Sequence, residues 1–71
     1  MNKLVINNNV RTLRFMNDEM TQKDLASAVG VSRQTIVAIE KGKYSPTLEL
    51  AFKIALTFDK TVDEVFYVET K

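Results

Sequence analysis

The side chains best suited to recognise another molecule are concentrated in one short stretch of the chain. An arginine can donate two parallel hydrogen bonds to guanine O6 and N7, and a glutamine can pair in the same way with adenine N6 and N7. Arg33 and Gln34 supply these two groups in succession. The side chains that follow add a hydroxyl for a base or a phosphate and methyl groups for thymine: Thr35, Val37 and Ala38. These residue types alone equally fit an ordinary solvated helix face, and they predict contact with the base edges of DNA only where they stand at the start of a recognition helix.

Catalysis has few residues to use. The 71 residues contain no histidine and no cysteine, which excludes Ser-His and Cys-His catalysis, disulfides, and metal sites built from imidazole or thiolate. An enzyme would need a carboxylate site for Mg²⁺. The adjacent acidic pairs Asp18-Glu19 and Asp63-Glu64 are explained by a turn and a helix start. We therefore predict no enzymatic activity and no metal or cofactor.

The charge is distributed unevenly along the chain. The net charge is only +1, yet residues 1–47 carry seven basic and four acidic side chains, whereas residues 48–71 carry three and five. This asymmetry places the basic surface away from the C-terminus. No apolar run is long enough to span a membrane, and the first nine residues are too short and polar for a signal peptide. We expect one domain over residues 1–71, in the cytoplasm.

Apolar periodicity and helix caps predict five helices. They are expected over residues 10–17, 21–30, 33–41 and 48–58, with a short fifth helix from residue 61. Asn8 or Asn9 is expected to cap the first helix, whose inward face is Val10, Leu13 and Met16 or Asn17. The β-branched and aromatic stretches 3–6 and 65–69 predict two strands that pair with each other, the first ending at the asparagines.

Residues 22–41 have the organisation of a helix-turn-helix, in which the second helix enters the major groove of DNA. Ala26 is small where the two helices approach, and Gly30 suits the left-handed conformation of the turn. The apolar side chains expected between the helices are Leu25, Val31, Ile36 and Ile39. A corner of two helices packed only for stability remains the alternative.

Several segments together resemble one known family, the Cro and phage-repressor-like (Xre) helix-turn-helix regulators. The segments are TQKDLA (21–26), VGVSRQTI (29–36), IEKG (39–42), PTLELA (46–51), IA (54–55) and VDEVF (62–66), the last of which looks like the family's fifth helix. The resemblance covers residues 10–66. It implies a five-helix DNA-binding domain, usually in a homodimeric transcriptional regulator of bacteria or their phages. Short stand-alone members carry an extra strand at each end, as this chain would.

The resemblance also implies roles for three polar residues. Gln22 would clamp the DNA backbone at the start of the second helix, where free amides and the helix dipole favour an anion. Arg14 would form a structural ion pair with Glu40. Between Arg14 and Gln22 the chain has one residue more than the common pattern. Weaker candidates for phosphate contact surround the same edge: Lys23, Lys43, Tyr44 and Thr47.

The fourth helix is more apolar than a surface helix of a monomer requires. It can be a central helix of a small domain, or it can present part of its apolar surface to a second copy. The surplus on the Phe52 and Leu56 side, together with Phe66 and Val68, predicts a homodimer interface.

These inferences combine into one predicted function. We expect a sequence-specific transcriptional regulator, a repressor that binds a palindromic operator in double-stranded DNA as a homodimer, with helix 33–41 in the major groove. We expect no small-molecule ligand and no membrane association, and a cytoplasmic bacterial or phage protein that joins the nucleoid when bound. The alternative is an antitoxin that also binds its own operator, although only residues 67–71 are spare for binding a toxin.

Overall fold

The computed structural model describes residues 4–70 and confirms a mainly α fold of five helices with a two-stranded antiparallel sheet. Lys3, where the first strand was expected to begin, lies outside the described residues. In chain order the elements are β1 Leu4–Asn8, α1 Val10–Met16, α2 Gln22–Val29, α3 Arg33–Glu40, α4 Leu48–Thr57, α5 Val62–Val65 and β2 Phe66–Thr70. No helix within residues 4–70 is long and apolar enough to cross a membrane.

The two strands pair with each other as predicted, but their limits differ from the prediction. Asn7 and Asn8 continue β1 opposite Tyr67 and Phe66, so the strand ends within the asparagine triplet as predicted, but two residues beyond Ile6. They stay in the strand because their amides find partners there: Asn7 Nδ2, for instance, lies 2.5 Å from Oε1 of Glu69. Val65, expected in the second strand, instead ends α5.

Val65 belongs to the helix because of its surroundings. Its side chain is fully buried, and its carbonyl accepts a hydrogen bond from the amide of Asn9 at 2.8 Å. Asn9 occupies the cap position of α1 without a side-chain cap bond. The side chain of Asn8 accepts from the amide of Val10 at 3.1 Å instead, so of the two expected caps Asn8 is the one that acts.

Threonine and serine caps start both helices of the predicted helix-turn-helix, α2 and α3, and the helix that follows it, α4. The hydroxyls of Thr21, Ser32 and Thr47 accept from amides three residues further on, at 2.9, 3.2 and 3.2 Å respectively. Each bond satisfies one of the amides that a helix start leaves without a partner. Gly30 follows α2 with φ +76° and Gly42 follows α3 with φ +74°, as predicted for residues that end helices.

One apolar core joins all five helices. Its fully buried side chains are Val10, Leu25, Ile36, Ile39, Ile54 and Val65. The predicted inward positions of α2 and α3 are therefore confirmed. On α1, Met16 is 75% exposed and Asn17 is also exposed, so neither belongs to the inward face. The chain turns away after Met16, and Met20 packs against the core in its place.

The segment between α1 and α2 accommodates the residue that the sequence adds there. Asp18 and Glu19 are consecutive residues in the left-handed region, with φ +57° and +54°. The carbonyl of Arg14 accepts from the amides of Asn17 at 3.1 Å and Met20 at 2.9 Å. The longer turn therefore remains tied to the last turn of α1.

The start of α5 contains a carboxylate that is stabilised in its charged form. Glu64 Oε1 accepts from the amide of Thr61 at 2.8 Å, and the Thr61 hydroxyl donates to the same carboxylate at 3.1 Å. These two hydrogen bonds lower the pKa of Glu64 below its ordinary value. These contacts hold the start of the predicted fifth helix at Thr61.

Because the lowered pKa belongs to the folded state, the carboxylate of Glu64 stabilises the fold when ionised and loses this effect as pH falls through the folded-state pKa. Glu64→Gln should therefore be less stable than the wild type at about pH 6, and the difference should shrink towards about pH 3. Urea unfolding of both proteins across this range measures it. A difference that is independent of pH would contradict the assignment.

Candidate nucleic-acid interface

The turn between α2 and α3 sets the angle at which α3 leaves the domain. Gly30 follows α2 in the left-handed conformation, and the amide of Val31 donates to the carbonyl of Ala26 at 3.0 Å. Ser32 then caps α3 immediately. With only three residues between them, the two helices pack directly on each other, as a helix-turn-helix requires.

The outward face of α3 carries four of the five residues predicted to contact a base, and Thr35 lies at the edge of its buried side. Arg33 and Gln34 are exposed in the first turn of α3, whereas Ile36 and Ile39 on its other side are buried. The remaining three candidates are half-buried: Thr35, Val37 and Ala38. The Thr35 hydroxyl lies 3.0 Å from that of Ser32, so it is already engaged within the cap of the helix.

A basic groove runs beside this face, between α1, the start of α2 and α3. We call it the basic groove; Arg33, Val37 and Lys41 line it from α3, and Gln22 and Lys23 from α2. The side chains that line it from α1 are Arg11, Thr12, Arg14 and Phe15. Five of its thirteen lining residues are basic and two are acidic. Its electrostatic character therefore suits a polyanion.

One ion pair neutralises an acidic residue of the basic groove. Arg14 Nε lies 2.6 Å from Oε2 of Glu40, and Arg14 Nη2 donates to the other carboxylate oxygen at 3.1 Å. This two-point pairing confirms the predicted structural ion pair. Arg14 also donates from Nη1 to the carbonyl of Met20 at 2.8 Å, which ties α1 to the turn before α2.

Gln22 belongs to the same network. Its Nε2 donates to Oε1 of Glu40 at 3.1 Å, so one carboxylate joins side chains of α1, α2 and α3. Gln22 was predicted to clamp DNA phosphate from the start of α2. The structure places it at that position, half-buried in the basic groove, with its amide donor directed to Glu40.

The other phosphate candidates lie in two different places. Lys23 lies in the basic groove beside Gln22. Lys43 and Thr47 are exposed in the segment between α3 and α4, where the Thr47 hydroxyl caps α4. Tyr44 lies in a small cleft with Ile6, Pro46 and Phe66, so it adjoins the sheet and not the basic groove.

Two basic residues of the groove are absent from the predicted contact set. Lys41 lines it one turn beyond Val37, and Arg11 faces it from α1. The spacing of Arg33, Val37 and Lys41, four residues apart each time, places Lys41 on the predicted partner face of α3, although no contact was assigned to it. For Arg11 the sequence leaves a phosphate contact and a solvated charge equally open, and the structure places its side chain in the lining of the groove.

The comparison with protein families matches this geometry. The profile described as "Helix-turn-helix" matches residues 17–65, which include α2 to α5. The chain belongs to the Cro and phage-repressor-like (Xre) helix-turn-helix family. It is a helix-turn-helix transcriptional regulator, and membership of this family implies binding to DNA.

The individual relatives of this chain are also named as transcriptional regulators. An uncharacterised HTH-type transcriptional regulator of Methanocaldococcus jannaschii is 60% identical over 50 residues, 70% of this chain and 76% of the relative. The Bacillus subtilis HTH-type regulator YgzD is 49% identical over 69% of this chain and 74% of its own length. The repressor RstR of the cryptic phage CTXphi of Vibrio cholerae is 36% identical over 79% and 50%. The relatives thus include archaeal as well as bacterial and phage proteins.

Removing one partner of the central ion pair should destabilise the fold. Arg14→Met leaves the Glu40 carboxylate half-buried without its cation, and we expect a loss of about 3 kcal/mol in the free energy of unfolding. Arg11→Met, an exposed arginine on the same helix, should change it by less than about 0.5 kcal/mol. Urea denaturation of both variants compares them. Equal losses of unfolding free energy in the two variants would show that the Arg14–Glu40 ion pair makes no specific contribution to stability.

Proposed function

We propose that this regulator is a sequence-specific repressor, which binds a palindromic operator as a homodimer and inserts α3 into the major groove. The observation that supports this best is the outward face of α3. It presents the exposed Arg33 and Gln34 in its first turn, directly beside the basic groove. A helix that presents side chains for base edges next to a cationic surface can contact the bases and bind the DNA phosphate backbone at the same time.

The base contacts are assigned to the first two turns of α3. Arg33 would pair with guanine and Gln34 with adenine, and Val37 and Ala38 would contact thymine methyl groups. The Thr35 hydroxyl lies 3.0 Å from that of Ser32. Thr35 would contact a base or a phosphate at the edge of the site. These contacts supply sequence preference, whereas the cations of the basic groove supply most of the affinity.

Backbone contacts would flank α3 on both sides. Gln22 and Lys23 lie on the groove side, and the segment from Lys43 to Thr47 lies beyond the other end of the helix. Because one hydrogen of Gln22 Nε2 is already donated to Glu40, we infer that its backbone amide and the second Nε2 hydrogen remain to donate to the phosphate. Tyr44 adjoins the sheet and would reach DNA only with its hydroxyl.

The proposed dimer uses apolar side chains that the core leaves outside. Phe52 is 52% exposed, Leu56 75% and Val68 57%, whereas Phe66 is half-buried at the edge of the core. Phe52 and Leu56 are four residues apart and share a face of α4. Covering them with a second copy would remove apolar surface from water and set two α3 helices about one DNA turn apart.

DNA binding is tested by selecting bound sites from random duplexes. The selected sites should be palindromic, and affinity should fall steeply with salt because bound phosphates release counterions. On the selected site, Gln34→Ala should cost about 1–3 kcal/mol and relax the preference at one base pair. Lys41→Met should lower the slope of affinity against salt concentration by about 1 on a double logarithmic plot.

The control for Lys41 is Lys53→Met. Lys53 lies on α4, paired with Glu49 at 3.1 Å and away from the basic groove, so its loss should leave the salt slope unchanged. Equal losses for Gln34→Ala on the selected site and on random DNA would move Gln34 from the bases to the backbone. A flat salt response of the wild type would contradict the proposed function as a whole.

The dimer is tested by sedimentation at micromolar concentration. The wild type should be a dimer, and Leu56→Glu should be a folded monomer because it places a charge in the proposed interface. Met16→Glu is a matched control, since Met16 is also 75% exposed but lies on α1, and it should remain a dimer. A monomeric wild type, or a dimeric Leu56→Glu variant, would contradict the assignment.

A further inference from the structure

The side chain of Asn8 links the N-terminal strand to the last turn of α3. Its Nδ2 donates to the carbonyl of Ile39 at 2.9 Å, and its Oδ1 accepts from the amide of Val10 at 3.1 Å. The residue is half-buried and lies opposite Phe66 in the sheet. A single amide group therefore joins β1, the start of α1 and the end of α3.

The carbonyl of Ile39 is one of the four that an α-helix leaves without a partner in its last turn. Its neighbours are satisfied locally: the amide of Lys41 donates to Val37 at 3.1 Å and that of Lys43 to Ala38 at 2.9 Å. The Ile39 carbonyl accepts from the amide of Gly42 at 3.0 Å. Among the side chains of residues 4–70, Asn8 alone is seen to donate to a carbonyl of this turn.

The end of α3 is thus held by three polar side chains from distant parts of the chain. Glu40 is bound from one side by Arg14 and Gln22, and Ile39 is bound from the other by Asn8. The helix is only about 12 Å long, and its backbone lies nearest to that of α2. Tilting its C-terminal end would move the side chains of its first turn relative to the rest of the domain.

We propose that Asn8 is a positioning residue for sequence recognition: its hydrogen bond to the Ile39 carbonyl holds the angle at which α3 presents its outward face to DNA. The inference rests on the proposed function, because it concerns the same α3 surface. Base contacts tolerate less displacement than contacts to phosphate. Loss of the bond should therefore reduce discrimination between sequences more than it reduces binding to DNA in general.

The test uses Asn8→Asp in the full chain. This variant keeps the oxygen that accepts from Val10 but loses the donor to Ile39. Affinity is measured for the site selected by the wild type and for a random duplex. The added charge weakens both complexes, so the ratio of the two affinities removes its effect. We expect the ratio to fall about threefold to tenfold, with the salt slope unchanged.

Asn9→Ala is the matched control. Asn9 is the neighbouring asparagine, and its Nδ2 donates to a carbonyl of a different helix, that of Glu64 at 3.1 Å. Its loss should leave the ratio of affinities unchanged. If Asn9→Ala lowers the ratio as much as Asn8→Asp does, the effect is one of general stability and the inference fails.

A second measurement needs no DNA. Hydrogen exchange of the Gly42 and Lys43 amides, which close the last turn of α3, should quicken in Asn8→Asp and not in Asn9→Ala. Unchanged exchange in Asn8→Asp would overturn the inference. Failure of the proposed function is a different outcome: the wild type itself would bind the selected site and a random duplex with equal affinity.

Discussion

The carboxylate of Glu40 is the contact on which the arrangement of the first three helices depends. It accepts hydrogen bonds from Arg14 on α1 and from Gln22 on α2, while its own position is at the end of α3. A charged group in a half-buried place is tolerated only when it is fully paired. Here the pairing also neutralises one of the two acidic residues that line the basic groove.

Hydrophobic burial holds the helices of this small domain together, and polar contacts fix their orientation. The core joins all five helices, yet apolar packing is not directional and by itself permits small rotations of a short helix. Hydrogen bonds from Arg14, Gln22 and Asn8 restrict those rotations, since each has a defined distance and angle. The solvent-facing side chains of α3 are therefore not needed to hold the helix in place, and they are available for a partner.

Much of this molecule could be predicted from local sequence. The caps at Thr21, Ser32 and Thr47, the glycines after α2 and α3, and the buried faces of both helices follow from rules that act within a few residues. The end of β1 could be predicted only to within two residues in this way. Asparagines favour turns, but pairing with β2 overrode that preference because the partner strand lies some sixty residues away.

The sequence by itself determined the helices, their order and the side of α3 that carries Arg33 and Gln34, because amphipathic spacing and capping are properties of neighbouring residues. Only the tertiary structure decided that Gln22 donates to Glu40, that Arg11 faces the basic groove and that Asn8 reaches the end of α3. The partner of a polar side chain depends on the angles at which distant elements pack. No local pattern encodes those angles, since the whole core sets them together.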